Sequence, residues 1–372
     1  MRVVVVGGGI LGASVAYRLV RARAETVLVD RADEGRATAA GAGIVCPWAS
    51  GGEDEPSYAL LARGARFYGE LVAHLAEDGE TELGYSRVGG LIAPDDPAQL
   101  DRAEALVRQR VGDSGEAGSI ERLSPAQART LFPPLRPDLP GLFLSAGARV
   151  DGRRLTAALR RAAAKRGLTE VEGSAELLLS GSRVVGVRVG HDVLEAEAVV
   201  VAAGAWAPAM LAPAGVPLAV APQRGQIVHL RQPGTDTSRW STLQPLSSYY
   251  LLAFADSRVV VGASRETGSG FDYRLTAAGI AGVLAAGLHT APGLAGWTLD
   301  EMRIGFRPLA ADGRPMLGRA PGVDGLWIGN GLGPSGLTMG PYAGALLAQA
   351  VLDQTPELGL APYDPGRPEA LA

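Results

Sequence analysis

The sequence predicts an α/β fold in which a parallel-stranded domain is interrupted by a second, smaller domain with a sheet of its own. Three observations carry that expectation. Four valines, Val3 to Val6, lead directly into Gly7, Gly9 and Gly12, and a second apolar strand over 26–29 ends in Asp30. After Asp30 the alternation of strand and helix breaks off at a small-residue loop, 36–43, and long helical stretches follow. Near the end of the chain a strand at 326–328, a glycine-rich loop at 329–336 and a helix at 340–352 bring the first pattern back.

The opening segment matches the Rossmann GxGxxG spacing, and each part of it has a physical task. One glycine makes a tight turn, the next lets backbone approach a pyrophosphate, and the third lets the following helix pack closely on the sheet. Phosphates then rest on the N–H groups of the helix start, and an acid at the tip of the second strand can hold a ribose hydroxyl. Ala16 and Leu19 continue an apolar helix face, and Glu25 marks the turn into the second strand. Arg2, the apolar stretch and the triplet Ala22, Arg23, Ala24 resemble a secretory leader, but the spaced glycines and the matching second strand argue against one. A second GxGxxG match, Gly331, Gly333 and Gly336, suggests a separate nicotinamide site. Only 36 residues follow it, Asp353 stands at a helix end, and no strand comes next, so it reads better as a nest of backbone N–H groups.

Between these ends, helices are expected over 58–76 and 98–110, and Ser124 with Pro125 reads as the cap and first residue of another. The first domain is expected to resume near Gly141, with a strand at 142–144. A helix over 153–166 follows, in which Leu155, Ala158, Leu159, Ala162 and Ala163 recur on one face. Segments 184–189 and 193–196 form a hairpin, and a buried strand over 198–203 runs into Gly204 and Trp206. Strands at 226–230, 249–254 and 258–262 and a helix over 276–288 complete the second domain. The division expected is therefore 1–48, 141–222 and 303–372 for the first domain, and 49–140 and 223–302 for the second.

Composition narrows the function. The 35 basic and 39 acidic residues nearly balance, and no basic run stands out, so nucleic acid is a poor partner. Cys46 stands alone, excluding an internal disulfide, and His74, His191, His229 and His289 lack metal-ligand spacing, so no metal is expected. Lys165 is the sole lysine, which leaves almost no room for Schiff-base chemistry. The most apolar stretch, 198–222, contains Pro208, Pro213, Pro217 and Pro222, which break any membrane-spanning helix. A soluble, cytoplasmic protein acting on small molecules is the expectation.

The N-terminal fingerprint, the loop 38–47, segments 199–206, 222–226 and 305–308 and the terminal loop occur in one order. In that order the chain resembles the D-amino-acid oxidase superfamily, which includes glycine oxidase, sarcosine oxidase and D-amino-acid dehydrogenase, from Arg2 to about Pro368. The resemblance implies FAD as cofactor, held by a Rossmann-like domain interleaved with a smaller α+β substrate domain of mixed sheet. The cofactor residues implied are Gly7, Gly9, Ile10, Leu11, Gly12, Asp30 and Arg31 at the fingerprint, and Thr38, Ala39, Ala42, Gly43 and Ile44 in the following loop. Ala175, Ala203, Gly204 and Trp206 come from the middle of the chain. Gly331, Gly333, Pro334, Ser335, Gly336, Leu337 and Thr338 come from the terminal loop, whose nest would face the electron-rich edge of the flavin.

The implied chemistry is hydride transfer from the amine-bearing carbon to flavin N5, leaving an imine that water hydrolyses. The catalysis then lies in alignment and in a carboxylate clamp rather than in a strong base. Arg307, in Gly-Phe-Arg-Pro, matches the family's clamp, against the plainer reading of an ion pair with Asp300 or Glu301. Tyr249 or Tyr250 matches its supporting tyrosine, Tyr250 being favoured, since neighbours on a strand face opposite sides. Trp48 could wall the pocket, and Arg224 reads as structural. The cysteine and histidine to which some relatives attach FAD have no counterpart here, so noncovalent FAD is implied. Lys165 lies away from where sarcosine oxidases carry their oxygen-activating lysine, and the arginine of glycine oxidases is missing from Gly333-Pro334-Ser335-Gly336. The foremost reading is a D-amino-acid dehydrogenase or oxidase, with oxygen or another electron acceptor, as a single chain or a homo-oligomer. The alternatives are a secondary-amine oxidase of the glycine, sarcosine or proline type and an imine-forming biosynthetic flavoenzyme. A nicotinamide dehydrogenase and a flavin-holding subunit of a larger amine dehydrogenase rank below these.

Overall fold

The valine run forms the strand Arg2–Val6 inside a six-stranded sheet of order Met316–Arg319, Leu326–Asn330, Ala198–Val201, Arg2–Val6, Glu25–Asp30, Thr169–Glu172. The structure is a computed structural model describing residues 1–51, 54–112 and 114–371. Five strands run parallel, and Met316–Arg319 closes one edge antiparallel. Val3 and Val5 pack among the helices Ile10–Arg21, Gly152–Lys165 and Gly336–Val351. Val4 and Val6 pack against a three-stranded antiparallel sheet, Ala175–Ser180, Arg183–Val189 and Asp192–Glu195. A strand covered on both faces needs an unbroken apolar run rather than alternation, and each buried valine contributes about 1.5–3 kcal/mol.

The second body is an eight-stranded sheet of order Thr298–Ala310, Val220–Arg231, Arg258–Gly262, Tyr250–Phe254, Thr242–Gln244, Gly90–Ile92, Gly141–Leu144, Ile120–Leu123. Thr242–Gln244 runs parallel to Gly90–Ile92 and the other pairings are antiparallel, so the sheet is mixed. Val283 of the helix Ala277–Thr290 packs on one face with Val228, Val259 and Val261. The other face carries Ile227, Leu252, Phe254 and Val260, packed with Ala42 from the first body.

Three expectations are corrected. Gly141–Leu144 pairs with Gly90–Ile92 and Ile120–Leu123, so the chain is still in the second sheet at the point expected for its return. A four-residue apolar run reads alike in either sheet, and only pairing decides. The boundaries at 222/223 and 302/303 likewise cut through one continuous ribbon. Val220–Arg231 pairs with Thr298–Ala310 from Val220↔Ala310 to Arg231↔Thr298, and its Val220 end packs in the first body. Finally, the last helix begins at Gly336, not 340, and contains Pro341. Proline cannot donate to the carbonyl four residues back, and that carbonyl, of Leu337, instead accepts the Tyr68 hydroxyl at 2.5 Å.

The apolar stretch over 198–222 is divided into a strand, two short 3-10 turns, a short helix and the start of the ribbon. Among the described residues no helix is long and apolar enough to cross a membrane. Ser124 caps Pro125–Leu131 through a reciprocal capping box with Gln127.

Candidate active site

A cavity of about 1520 Å³ runs between the two bodies, above the roughly 300–1,000 Å³ of an ordinary small-ligand pocket. The fingerprint brings Gly7, Gly9, Ile10, Leu11, Asp30 and Arg31 to its wall, and the next loop brings Thr38, Ala42, Gly43 and Ile44. Ala175, Ala203, Gly204 and Trp206 also line it, as do Gly333, Pro334, Ser335, Gly336, Leu337 and Thr338. Arg307, Tyr249 and Tyr250 complete the expected set on the wall.

Three expected residues stand behind the wall. Gly12 is where a Cβ would strike the Gly7 carbonyl, so it permits helix packing rather than ligand contact. The Ala39 carbonyl accepts from Arg153 and Arg303. Gly331 packs beside Ala310 and Arg314. Trp48 also misses the wall: it is buried in the core around Val107 and Leu144, while Cys46, Pro47 and Ala49 face the cavity.

At the fingerprint, Gly7 adopts φ +106° and its N–H donates to the Val29 carbonyl at 2.8 Å, which turns the chain sharply out of the first strand. The helix Ile10–Arg21 has no acidic residue in its first turn and no side-chain cap from Gly9. Thr38 Oγ1 accepts the Ile10 N–H at 3.0 Å, and the positive end of the helix is otherwise left to a ligand anion. A Cβ at Gly8 would stand 2.5 Å from Asp30 Oδ2. That carboxylate is held by Arg36 at 3.0 Å and Arg160 at 3.6 Å, at the end of its strand. Gly43, at φ +96°, lies so close to the Val150 carbonyl that a side chain would collide. This glycine-lined cradle, with an acid at one end and a helix start beside it, fits an FAD dinucleotide. Its residues would hold the cofactor by backbone contact and by the Asp30 carboxylate.

Arg307 stands on the long ribbon opposite Gln223. Its Nη1 donates to the Ser264 carbonyl at 3.0 Å and to Gln223 Oε1 at 3.4 Å, and the guanidinium also meets the Tyr250 hydroxyl. Gly225 leaves the space it fills: a Cβ there would come 2.5 Å from Nη2. Among the described residues no carboxylate pairs with it. Asp300 is taken by Arg231, and Glu301 by Arg303 and Arg153. Burial pulls the Arg307 pKa below its ordinary value; Tyr250 opposes that and Arg265 adds to it. The group stays a cation, as guanidinium does in proteins. Burial raises the Tyr250 pKa, with Arg307 opposing, so its hydroxyl remains a proton donor.

The two tyrosines separate by strand alternation. Tyr250, Leu252 and Phe254 share the face packed on Ala42, whereas Tyr249, Leu251 and Ala253 belong to the face under the helix Ala277–Thr290. Tyr249 reaches the cavity edge, but its hydroxyl lies beside Gly282 of that helix. Arg224 is buried and paired with Glu266 and Asp272, a structural role as expected.

Arg36, Arg265 and Asn330 also line the cavity, and none was picked out from the sequence. Asn330 Nδ2 donates to the Gly204 carbonyl at 2.9 Å and its Oδ1 accepts the Gly331 N–H at 2.7 Å, tying two glycine loops together. Its place between Gly329 and Gly331 was the one available signal; Arg36 and Arg265 carry none.

Comparison with known proteins agrees with this geometry. A sequence model of the DAO family, FAD dependent oxidoreductase, matches residues 2–350. The chain is similar to the crystal structure of iminodiacetate oxidase from Chelativorans sp. BNC1, with 50% identity, TM-score 0.95 and 98% of each chain covered. It is 44% identical to a Bacillus subtilis (strain 168) protein described as uncharacterized oxidoreductase YurR, over 97% of this chain and 98% of that one. Glycine oxidase of Pseudomonas aeruginosa PAO1 is 30% identical, over 98% of both.

Proposed function

This chain belongs to the DAO family of FAD-dependent oxidoreductases, acting on amine or amino-acid donors, and from that footing we propose that its substrate is a small amine built on one glycine unit, N–CH2–COO⁻. Membership sets aside the nicotinamide reading. The observation that carries the proposal is Arg307, a cation on the cavity wall with carbonyl, amide and phenol neighbours and, among the described residues, no acid paired with it. A planar guanidinium so placed binds a carboxylate through two parallel hydrogen bonds. Glycine and iminodiacetate, the substrates named for two relatives, share the glycine unit. D-amino acids carry a side chain on the carbon where the glycine unit has two hydrogens, so the secondary-amine reading moves ahead of them. The loop Gly333–Ser335 holds no arginine of the kind glycine oxidases carry, which favours a substituted nitrogen over glycine itself.

Bound FAD would supply a hydride acceptor for the carbon beside the nitrogen, and the resulting imine would take up water and split into an amine and a carbonyl compound. The protein's part is placement. Arg307 grips the carboxylate, and the protonated Tyr250 hydroxyl donates to it and restricts its rotation. Ile227, Ile44 and Leu337 give that cavity apolar walls. We take FAD to be noncovalent. Oxygen or another acceptor must then remove the electrons.

The test is anaerobic titration of the holoenzyme with sarcosine, glycine, iminodiacetate and D- and L-amino acids, read at the flavin band near roughly 450 nm. Bleaching by compounds with a glycine unit is expected. In Arg307→Ala, kcat/KM for them should fall about 30- to 1,000-fold, the loss of a bidentate contact of about 2–4 kcal/mol, while the flavin spectrum is kept. Unchanged kinetics in that variant would sink the proposal, and no turnover by the isolated wild-type chain would revive the subunit reading.

A further inference from the structure

We propose that Gln244 is a specificity-determining residue whose side-chain carbonyl accepts a hydrogen bond from a donor group carried by the second substituent on the substrate nitrogen. The inference rests on the reading of Arg307 as the carboxylate anchor and names the kind of secondary amine that the same cavity takes.

Gln244 ends the strand Thr242–Gln244, in which Leu243 stands opposite Leu251, so Gln244 stands opposite Tyr250. Residues directly opposite across an antiparallel pair share a face. Alternation sends Leu243 and Leu251 into the core under the helix Ala277–Thr290, and Gln244 with Tyr250 to the cavity, which both of them line. Main-chain bonds fix the position: Gln244 pairs with Ile92 on its other side, and its backbone carbonyl accepts the Ala93 N–H at 3.0 Å.

The side chain has no such part in holding the fold. The buried side-chain amides around this cavity are each engaged at both ends. Gln223 donates to Thr267 at 3.1 Å and accepts from Arg307 at 3.4 Å, and Gln226 donates to Glu266 at 2.7 Å and accepts the Thr276 N–H at 2.8 Å. Asn330 joins two glycine loops. Gln244 is the exception: among the described residues its amide bonds no protein oxygen or nitrogen. Nε2 is buried beside the Cys46 thiol, a weak acceptor, and Oε1 is the end left to the cavity. A buried donor without a partner costs stability that an apolar residue of the same shape would not. Packing therefore gives no reason for a glutamine here, and a ligand does.

Across the sheet, the order Thr298–Ala310, Val220–Arg231, Arg258–Gly262, Tyr250–Phe254, Thr242–Gln244 sets out Arg307, Tyr250 and Gln244 in turn. Gln244 thus lies one strand spacing, about 4.8 Å, beyond Tyr250 on the side away from Arg307. Past it the cavity continues to Gln99 and Ala103 of the helix Pro97–Val111. A ligand with its carboxylate on Arg307 and Tyr250 sends the second substituent of its nitrogen along this route, past Gln244. An amide oxygen only accepts, so it favours a substituent ending in a hydroxyl or an amine N–H over an alkyl group of the same length.

The experiment measures kcat/KM of the FAD-loaded enzyme for N-hydroxyethylglycine against N-propylglycine, which match in length, and for N-methoxyethylglycine against N-butylglycine. The wild type is compared with Gln244→Met and Gln244→Leu. The hydroxyethyl-to-propyl ratio should fall about 3- to 10-fold in both variants. The methoxyethyl group offers an oxygen but no donor, so its ratio to butyl should stay within about twofold. Because the amide bonds nothing in the protein, Gln244→Met should keep or raise the melting temperature of the substrate-free holoenzyme. A hydroxyethyl-to-propyl ratio unchanged in the variants overturns the inference while the Arg307 reading stands, and a lowered melting temperature beside it would give Gln244 a structural role instead. A methoxyethyl ratio that falls as far as the hydroxyethyl one overturns the acceptor role. Failure of sarcosine and all four of these glycine derivatives to bleach the wild-type flavin overturns both readings.

Discussion

A guanidinium taken out of water without an acid beside it is costly unless its donors find oxygen. Arg307 finds the Ser264 carbonyl, Gln223 and Tyr250, neutral partners that hold its direction without cancelling its charge. That combination keeps the cation available to a ligand. Asp30 shows the opposite solution, with its carboxylate balanced by Arg36 and Arg160. Cys46 is a third case: it lines the cavity, but burial pushes its thiol up to about 12, with the neighbouring Gln244 opposing. At pH 8 it is therefore protonated and a poor nucleophile. Iodoacetamide should leave it unlabelled in the native protein and label it after denaturation; rapid native labelling would contradict this assignment.

Between elements, a polar seam joins the helix Gly152–Lys165 to the second sheet. Asp151 caps that helix and pairs with Arg258 at 3.2 Å, and Arg258 Nη1 lies 2.9 Å from His229 Nδ1. An arginine can only donate, so Nδ1 accepts and the histidine proton sits on Nε2. Burial, then Arg303 and Arg258, lower the His229 pKa to about 3. The folded state thus takes up this proton only near pH 3, whereas the unfolded chain does so near its ordinary value of about 6.5. In between, the unfolded state binds more protons, so the stabilisation is complete above about pH 6.5 and is lost as pH falls toward 3. From pH 6.5 to 5 the loss should be about 1.5 kcal/mol. Glu301, held down to about 2 mainly by Arg303, contributes only at lower pH. Urea midpoints of the wild type should therefore drop over pH 6.5–5 and those of His229→Gln should drop less; parallel curves would refute the assignment.

Across the whole molecule, the cavity is an interface. Its walls come from the parallel sheet's loops, from the mixed sheet and from the ribbon Val220–Arg231 with Thr298–Ala310 that joins them. A ligand filling it binds the folded chain alone, and at about 1,000 times its Kd adds roughly 4 kcal/mol of stability. Removing FAD should lower the melting temperature and speed proteolysis, and adding it back should restore both. An apoprotein that melts where the holoprotein does would place the cofactor elsewhere. The parts of this architecture legible in the chain are those written in short-range chemistry. The strand, glycine turn, helix and acid occupy residues 2–30, and each follows from local sterics and periodicity. The strand Val3 to Val6, the turn at Gly7 and the second strand ending at Asp30 are therefore legible without neighbours, and the ordered motifs identified the family. Pairing between distant segments left no such mark. Gly141–Leu144 joins one sheet rather than the other through backbone hydrogen bonds that any apolar residues could make. Pro341 is tolerated because Tyr68, far away in sequence, takes the carbonyl it frees. Arg265 faces Arg307's cavity because the strand Arg258–Gly262 lies beside the ribbon, and a lone arginine in a loop carries no sign of which charge it will face. Periodicity and turn chemistry act over a few residues, whereas the site is assembled by contacts between segments hundreds of residues apart, which only the folded chain decides.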